Sequence, residues 1–256
     1  MNSYSYYSTN PNGVKRRAPA DRERSEDAPA QPGIPEPVNP TLPAIEEVLR
    51  LPSPCPAPIG IAYDGTSLWL GSVETDRIYA VDPRQGSVRE EWPVEGTPYG
   101  MTVMGDELRV VVGDPVEDDR AIGRLVVGHG MKNGRIPCPD NTGSWLAYDG
   151  DFLFLTQRFH KRILELDETG TVRRTISLPR EITGMTVVDG CFYVMTTESK
   201  DVDDYRLVRV DARGEQPVIT ELAAVPFVAR GLAFDGTRFW TNVRSENTSV
   251  AFQRPG

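Results

Sequence analysis

The 256-residue chain has little cysteine, little histidine and no excess of positive charge. Three cysteines are too few for a disulfide scaffold, and one of them is necessarily unpaired. This favours a reducing compartment, and we expect a cytoplasmic protein. The net charge is −9, from 28 Lys and Arg against 37 Asp and Glu, which argues against a nucleic-acid backbone as the main partner.

Long apolar runs are also missing. The N-terminus lacks the apolar segment of a secretory signal, and no run is long enough to span a membrane. We therefore expect no nucleic acid and no membrane among the partners. We expect instead a monomer that handles a small molecule with an anionic or carbonyl group.

Residues 1–40 differ in composition from the rest of the chain. They hold seven prolines, a Lys15-Arg16-Arg17 cluster and almost no aliphatic side chains. Such a segment buries too little surface to offset the entropy of ordering it, which predicts a disordered tail. The basic cluster is either a contact for an acidic partner or part of a solvated linker. The folded domain is expected to cover residues 41–256.

The chain also contains a phrase that occurs five times. It begins at residues 60, 100, 145, 184 and 231, as in Gly60-Ile-Ala-Tyr-Asp-Gly65 and Gly231-Leu-Ala-Phe-Asp-Gly236. The steps are 40 (60 to 100), 45 (100 to 145), 39 (145 to 184) and 47 (184 to 231). A period of about 40 to 45 residues is that of a four-stranded propeller blade.

Each repeat divides into four strands. The phrase ends in an Asp-Gly hairpin turn, and a second strand of alternating aromatic and aliphatic residues follows, such as Leu68-Trp69-Leu70. The last repeat has no room for a fourth strand, whereas an unassigned strand, residues 45–52, precedes the first repeat. We therefore predict an all-β, five-bladed β-propeller of four-stranded antiparallel blades, closed by this N-terminal strand.

Two segments of the first repeat resemble a broad propeller superfamily. They are Pro58-Ile-Gly-Ile-Ala-Tyr-Asp-Gly-Thr-Ser-Leu-Trp-Leu70 and Ile78-Tyr-Ala-Val-Asp-Pro-Arg-Gln-Gly86. That superfamily includes NHL repeats, streptogramin lyases, gluconolactonase-type hydrolases and glutaminyl cyclases. The resemblance covers residues 41–256 and is specific for the fold. It implies chemistry at the mouth of the central channel. The Phe-Thr-Gln-Gly-Leu opening of plant-type glutaminyl cyclases is absent here.

Gluconolactonase-type members hold a divalent metal with carboxylates and Asn from their inner strands. The matching positions here carry no carboxylate and are Ile59, Tyr99, Ser144, Thr183 and Arg230. We therefore predict no cofactor and no metal ligand at these positions. The acidic loops 114–119 and 201–204 are either solvated or bind Ca²⁺ or Mg²⁺ through carboxylate oxygens.

Of the two histidines, His160 is the better candidate for a catalytic base, since it lies in a loop expected at the channel mouth. A neutral imidazole can remove a proton next to a carbonyl group. Its neighbours Gln157 and Arg158 are candidate substrate-binding residues. The alternative is an exposed loop histidine with no chemical role.

Five more residues are candidates at the same mouth. Arg230 occupies an inner-strand start, where it either binds a substrate anion or forms a structural ion pair. The loops between second and third strands add the substrate-binding candidates Glu74, Asn242 and Arg244. Tyr99 is either a proton donor or part of the channel wall.

Trp145 replaces the glycine that the other four repeats place at this position. The indole either narrows the channel and stacks on a ligand or fills the core. Cys55 and Cys138 both lie in Pro-Cys-Pro, where they are reactive or metal-binding thiols or simply a product of the repeat.

Together these residues predict a cytoplasmic enzyme acting on a small organic molecule at the channel mouth. The chemistry would be acid–base: lyase, cyclase, isomerase or lactone-opening. The alternative is a non-catalytic propeller that binds a ligand or a protein on the same face.

Overall fold

The computed structural model describes residues 42–199 and 201–255, so the prediction of a disordered tail over residues 1–40 lies outside the described residues. Twenty-one strands run along this part of the chain. In chain order they are β1 (Glu47–Pro52), β2 (Pro58–Tyr63), β3 (Leu68–Ser72), β4 (Arg77–Val81), β5 (Val88–Pro93), β6 (Thr97–Met104), β7 (Glu107–Gly113), β8 (Arg120–Val126), β9 (Gly130–Met131), β10 (Ile136–Pro137), β11 (Leu146–Tyr148), β12 (Leu153–Gln157), β13 (Arg162–Leu166), β14 (Val172–Ser177), β15 (Glu181–Val188), β16 (Cys191–Thr197), β17 (Arg206–Asp211), β18 (Val218–Ala224), β19 (Ala229–Phe234), β20 (Arg238–Val243) and β21 (Thr248–Gln253).

The strands form five antiparallel blades. Blade 1 is β2-β3-β4-β5, blade 2 is β6-β7-β8-β10 with β9 also on β8, blade 3 is β11 to β14, and blade 4 is β15 to β18. Blade 5 is β19-β20-β21 completed by β1, with Leu51 opposite Ser249. The predicted five-bladed propeller and its closure by the N-terminal strand are confirmed. The outermost strand of blade 5 thus comes from the N-terminal side of blade 1, which links the last blade to the first.

Helical structure in the described part of the chain is limited to two three-residue 3-10 turns, Pro139–Asn141 and Arg244–Glu246. Neither approaches the length and apolar character that a membrane-spanning helix requires.

The glycine that opens the repeated phrase marks where neighbouring inner strands approach most closely. A Cβ built on Gly60 would lie 2.1 Å from the carbonyl oxygen of Tyr99, which belongs to the next blade. A Cβ on Gly100 would lie 2.4 Å from the carbonyl oxygen of Ser144, again one blade further. Only a residue without a side chain permits this spacing, so the glycines set the width of the ring.

The aspartate that closes the phrase organises the hairpin turn and anchors a tryptophan. Asp64 accepts hydrogen bonds from the backbone of Thr66 and Ser67 and from the indole Nε1 of Trp69 at 2.7 Å. Asp235 repeats the arrangement with Trp240 at 2.8 Å. Burial by itself would raise the pKa of Asp64, but these hydrogen bonds outweigh it and lower the pKa.

The apolar core lies between the blades. Within residues 42–199 and 201–255 there are five buried clusters. Four of them each join two successive blades, including blades 5 and 1, and the fifth joins blades 3 and 4 together with Ile59 of blade 1. The largest fully buried side chains are Trp69 and Trp240, which occupy equivalent positions in the second strands of blades 1 and 5. Burial of such aromatic side chains supplies the main driving force for docking one blade on the next.

The strand order places two kinds of loop on one face, here called the mouth face. These are the loops between second and third strands and the connections between blades. The hairpins between first and second strands and between third and fourth strands lie on the opposite face. Blade 2 departs from the regular plan, because its outer edge is divided into β9 and β10 around glycines with positive φ at Gly128, Gly130 and Gly134.

Candidate functional site

A cavity of about 440 Å³ opens on the mouth face where blade 5 meets blade 1. It brings together three of the predicted site residues, Glu74, Arg230 and Arg244. The remaining lining residues are Ala57, Val228, Ser245 and Asn247. We call this cavity, defined by these seven residues, the mouth pocket. Its volume is within the range of small-molecule sites.

Arg230 is held in place by uncharged partners. Its Nη1 donates to the hydroxyl of Tyr205 at 2.9 Å and to the carbonyl oxygen of Ala229 at 2.9 Å, and its guanidinium lies 5.5 Å from the Tyr205 ring centroid. Among the described residues no carboxylate lies within ion-pair distance of it. The structural ion pair considered above is therefore absent from the described part of the chain.

Arg244 and Glu74 face the same pocket from two different loops. Both side chains are exposed, and neither makes a side-chain hydrogen bond or ion pair with a described residue. Two guanidinium groups and one carboxylate thus remain available to a ligand in one cavity.

The floor of the mouth pocket contains strained backbone. Ala57 has φ of 45°, in the left-handed region that alanine rarely adopts. Its N–H donates to the side-chain oxygen Oδ1 of Asn247 at 2.8 Å, and Asn247 itself has φ of 51°. Such strain is often found at binding sites, where the surrounding structure holds it in place.

Neither Ala57 nor Asn247 was predicted from the sequence. Asn247 could have been noticed, since asparagine tolerates positive φ and follows the loop that carries Arg244. Nothing in the sequence marks Ala57, because its conformation depends on an asparagine 190 positions further along the chain.

Tyr99 lies on the mouth face but is not among the residues that line the mouth pocket. Its hydroxyl donates to Asp118 Oδ1 at 3.1 Å, and the Arg120 guanidinium lies 3.5 Å from its ring centroid. Burial raises the pKa of Tyr99, Arg120 opposes this rise, and Asp118 adds to it. The phenol therefore keeps its proton at neutral pH, but its hydroxyl already donates a hydrogen bond to Asp118.

His160 and Gln157 form a separate group in blade 3. Gln157 is buried, and its Nε2 donates to the carbonyl oxygens of Pro139 at 2.6 Å and Thr142 at 2.9 Å. Its Oε1 accepts from Arg162 Nε and lies 3.2 Å from His160 Nδ1. His160 is exposed and is not among the residues lining the mouth pocket. Gln157 has all its hydrogen-bonding capacity occupied by the protein.

Arg158 and Trp145 are engaged with blade 4. Arg158 Nε pairs with Glu181 at 2.9 Å, and its Nη2 is buried without a hydrogen-bond partner among the described residues. Trp145 is 5% exposed, and its indole N–H donates to the carbonyl oxygen of Ile182 at 3.2 Å. It belongs to one buried cluster with Ile59 of blade 1, so the indole fills the core at the mouth end of the channel.

Asn242 is fully buried between blades 5 and 1. Its Nδ2 donates to the carbonyl oxygens of Ile59 at 3.3 Å and Gly60 at 3.1 Å, and its Oδ1 accepts from Ser249 at 2.7 Å. These contacts join the blades and leave none of its polar atoms for a ligand.

The thiols and acidic loops hold no assembled metal site. Cys55, Cys138 and Cys191 are free and buried. Burial raises the pKa of the Cys138 thiol to about 12 and also raises that of Cys55, which keeps both protonated and unreactive near neutral pH. Over residues 42–199 and 201–255, no group of three His, Cys, Asp or Glu side chains is placed to hold a metal ion.

Comparison with known proteins supports the fold. No family model and no curated protein matches the chain. Glutaminyl cyclase from Myxococcus xanthus superposes with a TM-score of 0.65 at 9% identity, over 83% of this chain and 97% of that one. A protein of unknown function from Bacteroides thetaiotaomicron gives 0.55 at 10% identity, over 83% and 74%.

The PQQ-bound aldose sugar dehydrogenase from Streptomyces coelicolor gives a TM-score of 0.51 at 12% identity, over 83% of this chain and 99% of that one. The resemblance to propeller proteins that include enzymes is thus confirmed at the level of the fold. Identities this low carry no information about substrate or reaction.

Proposed function

We propose that the protein binds a small organic anion in the mouth pocket. The observation that carries the proposal is the presence of Arg230 and Arg244 in one cavity of about 440 Å³ without a carboxylate partner among the described residues. The chain has a net charge of −9, yet no described acidic side chain pairs with either arginine. A ligand carboxylate or phosphate supplies the missing counter-charge.

The two arginines have different roles in this proposal. Arg230 is positioned by Tyr205 and the Ala229 carbonyl, so little side-chain entropy is lost when it binds an anion. Arg244 is exposed and closes on the ligand from the loop opposite. Glu74 accepts a hydrogen bond from a ligand hydroxyl or amine and limits the ligands to those that offer one.

The finer proposal is acid–base catalysis in the same pocket. Glu74 removes a proton next to the ligand's carbonyl group, and Arg230 stabilises the oxyanion that results. Glu74 takes the place expected for His160, because His160 does not line this cavity. The outcome would be a lyase, cyclase, isomerase or lactone-opening reaction on a small organic anion.

Binding without turnover is the second candidate. It is favoured by the exposure of both Glu74 and Arg244, because proton transfer is most effective where water is excluded. Both candidates use the same pocket and the same arginines, and they differ in whether Glu74 takes part in a reaction.

Calorimetric titration with small carboxylates, phosphate esters and lactones tests the proposal. We expect Arg230→Gln and Arg244→Gln each to weaken binding by about tenfold to a hundredfold, the range for a lost charge-assisted hydrogen bond. Arg84→Gln is the matched control, since Arg84 is an exposed arginine on the opposite face with no side-chain partner among the described residues.

Each result has a clear meaning. Binding that survives in both arginine variants, or the failure of every anion to bind the wild type, would refute the mouth pocket as an anion site. If Glu74→Gln keeps binding and loses turnover of the bound compound, the enzyme is supported. If no bound compound is turned over by the wild type, the binding protein is supported.

A further inference from the structure

A second cavity, of about 500 Å³, lies on the opposite face between blades 4 and 5. Three arginines line it from three separate elements: Arg209 on β17, Arg213 in the turn after β17, and Arg254 after β21. Cys191 and Tyr193 on β16 also line it. We call this cavity the lateral pocket. It shares no residue with the mouth pocket.

Contacts with Cys191 and Tyr193 hold Arg209 and Arg254 at this cavity. The two residues are two positions apart on one strand, so their side chains lie on the same side of blade 4. Arg209 Nη2 donates to Cys191 Sγ at 3.4 Å, and Arg254 Nη2 donates to the Tyr193 hydroxyl at 2.9 Å. Arg213 lines the same cavity from the turn after β17.

The charges around the lateral pocket do not balance. Arg213 pairs with Asp211, and Arg254 pairs with Asp189 at 2.9 Å. Arg209 has no carboxylate within ion-pair distance among the described residues, and its side-chain hydrogen bond goes to the Cys191 thiol. Three positive charges and two negative charges leave one positive charge for a ligand.

The rest of the lining is largely apolar. Val188, Leu222 and Pro255 form this part of the wall, and the remaining lining residue is Asp189, which pairs with Arg254. A cavity of this size is larger than a bare phosphate needs and within the range of small organic ligands. The lining therefore offers a cationic end for an anionic group and an apolar surface for the carbon skeleton attached to it.

We propose that the lateral pocket binds a small phosphorylated organic molecule, with Arg209, Arg213 and Arg254 around its phosphate. Donors that approach from three elements match a tetrahedral group with several acceptor oxygens better than a planar carboxylate. The two carboxylates already present keep Arg213 and Arg254 oriented. Arg209, which has no such partner, supplies the uncompensated charge.

Calorimetric titration of the full chain with glycerol 3-phosphate, inorganic phosphate and glycerol tests this site. We expect glycerol 3-phosphate to bind most tightly, inorganic phosphate more weakly and glycerol not at all. Arg209→Gln should weaken glycerol 3-phosphate binding by about tenfold or more, the effect of losing one charge-assisted contact. Arg84→Gln, an exposed arginine on the same face, should leave binding unchanged.

A second readout does not depend on an arginine variant. Bound glycerol 3-phosphate should raise the Tm of the wild type, measured by differential scanning calorimetry, because a ligand that binds only the folded state stabilises that state. Absence of both binding and a rise in Tm would overturn the proposal.

Two other outcomes also contradict it. Loss of glycerol 3-phosphate binding in Arg230→Gln but not in Arg209→Gln would move the phosphate to the mouth pocket. Equal affinity for inorganic phosphate and glycerol 3-phosphate would overturn the phosphorylated organic molecule and leave a site for the free ion.

Discussion

Replacing Asn242 by alanine should destabilise the propeller without affecting ligand binding. Asn242 is fully buried, and its amide connects blade 5 to the carbonyl oxygens of Ile59 and Gly60 in blade 1. Its Oδ1 also accepts the hydroxyl proton of Ser249. The variant therefore removes three hydrogen bonds at the point where the ring closes.

The size of the effect follows from these bonds. The contact with Ile59 is 3.3 Å long and therefore weak, whereas those with Gly60 and Ser249 measure 3.1 and 2.7 Å. Leaving a buried partner unsatisfied costs about 1 to 3 kcal/mol, so we expect a loss of about 3 kcal/mol in unfolding free energy. For a domain of this size, that loss lowers Tm by about 6 to 12 °C.

Differential scanning calorimetry measures the change, with Ser249→Ala as the matched control. That variant loses one of the three hydrogen bonds, and we expect its Tm to fall by only about 2 to 4 °C. Equal shifts in the two variants would refute the role assigned to the Asn242 amide. Weaker binding of an anionic ligand by Asn242→Ala below its melting temperature would show that Asn242 takes part in recognition after all.

Two further predictions concern the repeated phrase. Gly100→Ala places a Cβ 2.4 Å from the carbonyl oxygen of Ser144, so urea unfolding should show that the free energy of unfolding falls by about 1 to 3 kcal/mol. Gly214→Ala is the control and should be neutral, because its Cβ meets nothing closer than 3.6 Å. Similar losses in both variants would contradict the argument that the inner strands approach too closely for a side chain. Asp64→Asn removes a carboxylate that accepts a hydrogen bond from the Trp69 indole. The pKa of Asp64 is lowered in the folded state, so the stability that its carboxylate contributes is present above the unfolded-state pKa of about 3.9 and is lost as pH falls through the folded-state pKa. The destabilisation by Asp64→Asn should therefore be larger at pH 7 than at pH 3, and an equal effect at both pH values would contradict it.

The candidate site shows how far residue types can be used without tertiary contacts. Arg230 and Arg244 were identified from their places in the repeat, and the structure puts both in the mouth pocket with Glu74. Gln157 and Asn242 lie at the ends of the second strands β12 and β20, next to equally suitable loops, yet their amides bind backbone carbonyl oxygens of the protein. A polar residue at a loop position looks the same in sequence whether its partner is a ligand or another blade.

The sequence by itself determined the architecture. Three features of the sequence predict it: the repeat period, the Asp-Gly turns and the extra strand before the first repeat. All three depend on local hydrogen bonding and on the spacing of apolar residues, and both can be read from positions that are close together in the sequence. Closure of the ring followed from counting strands.

Only the tertiary structure decided which side chains share a pocket. Glu74 and Arg230 are separated by more than 150 positions and become neighbours because β1 joins blade 5 to blade 1. The three arginines of the lateral pocket lie in elements whose distance depends on how blades 4 and 5 pack. Long polar side chains take the direction that their non-local partners allow, and those partners are set by packing between blades.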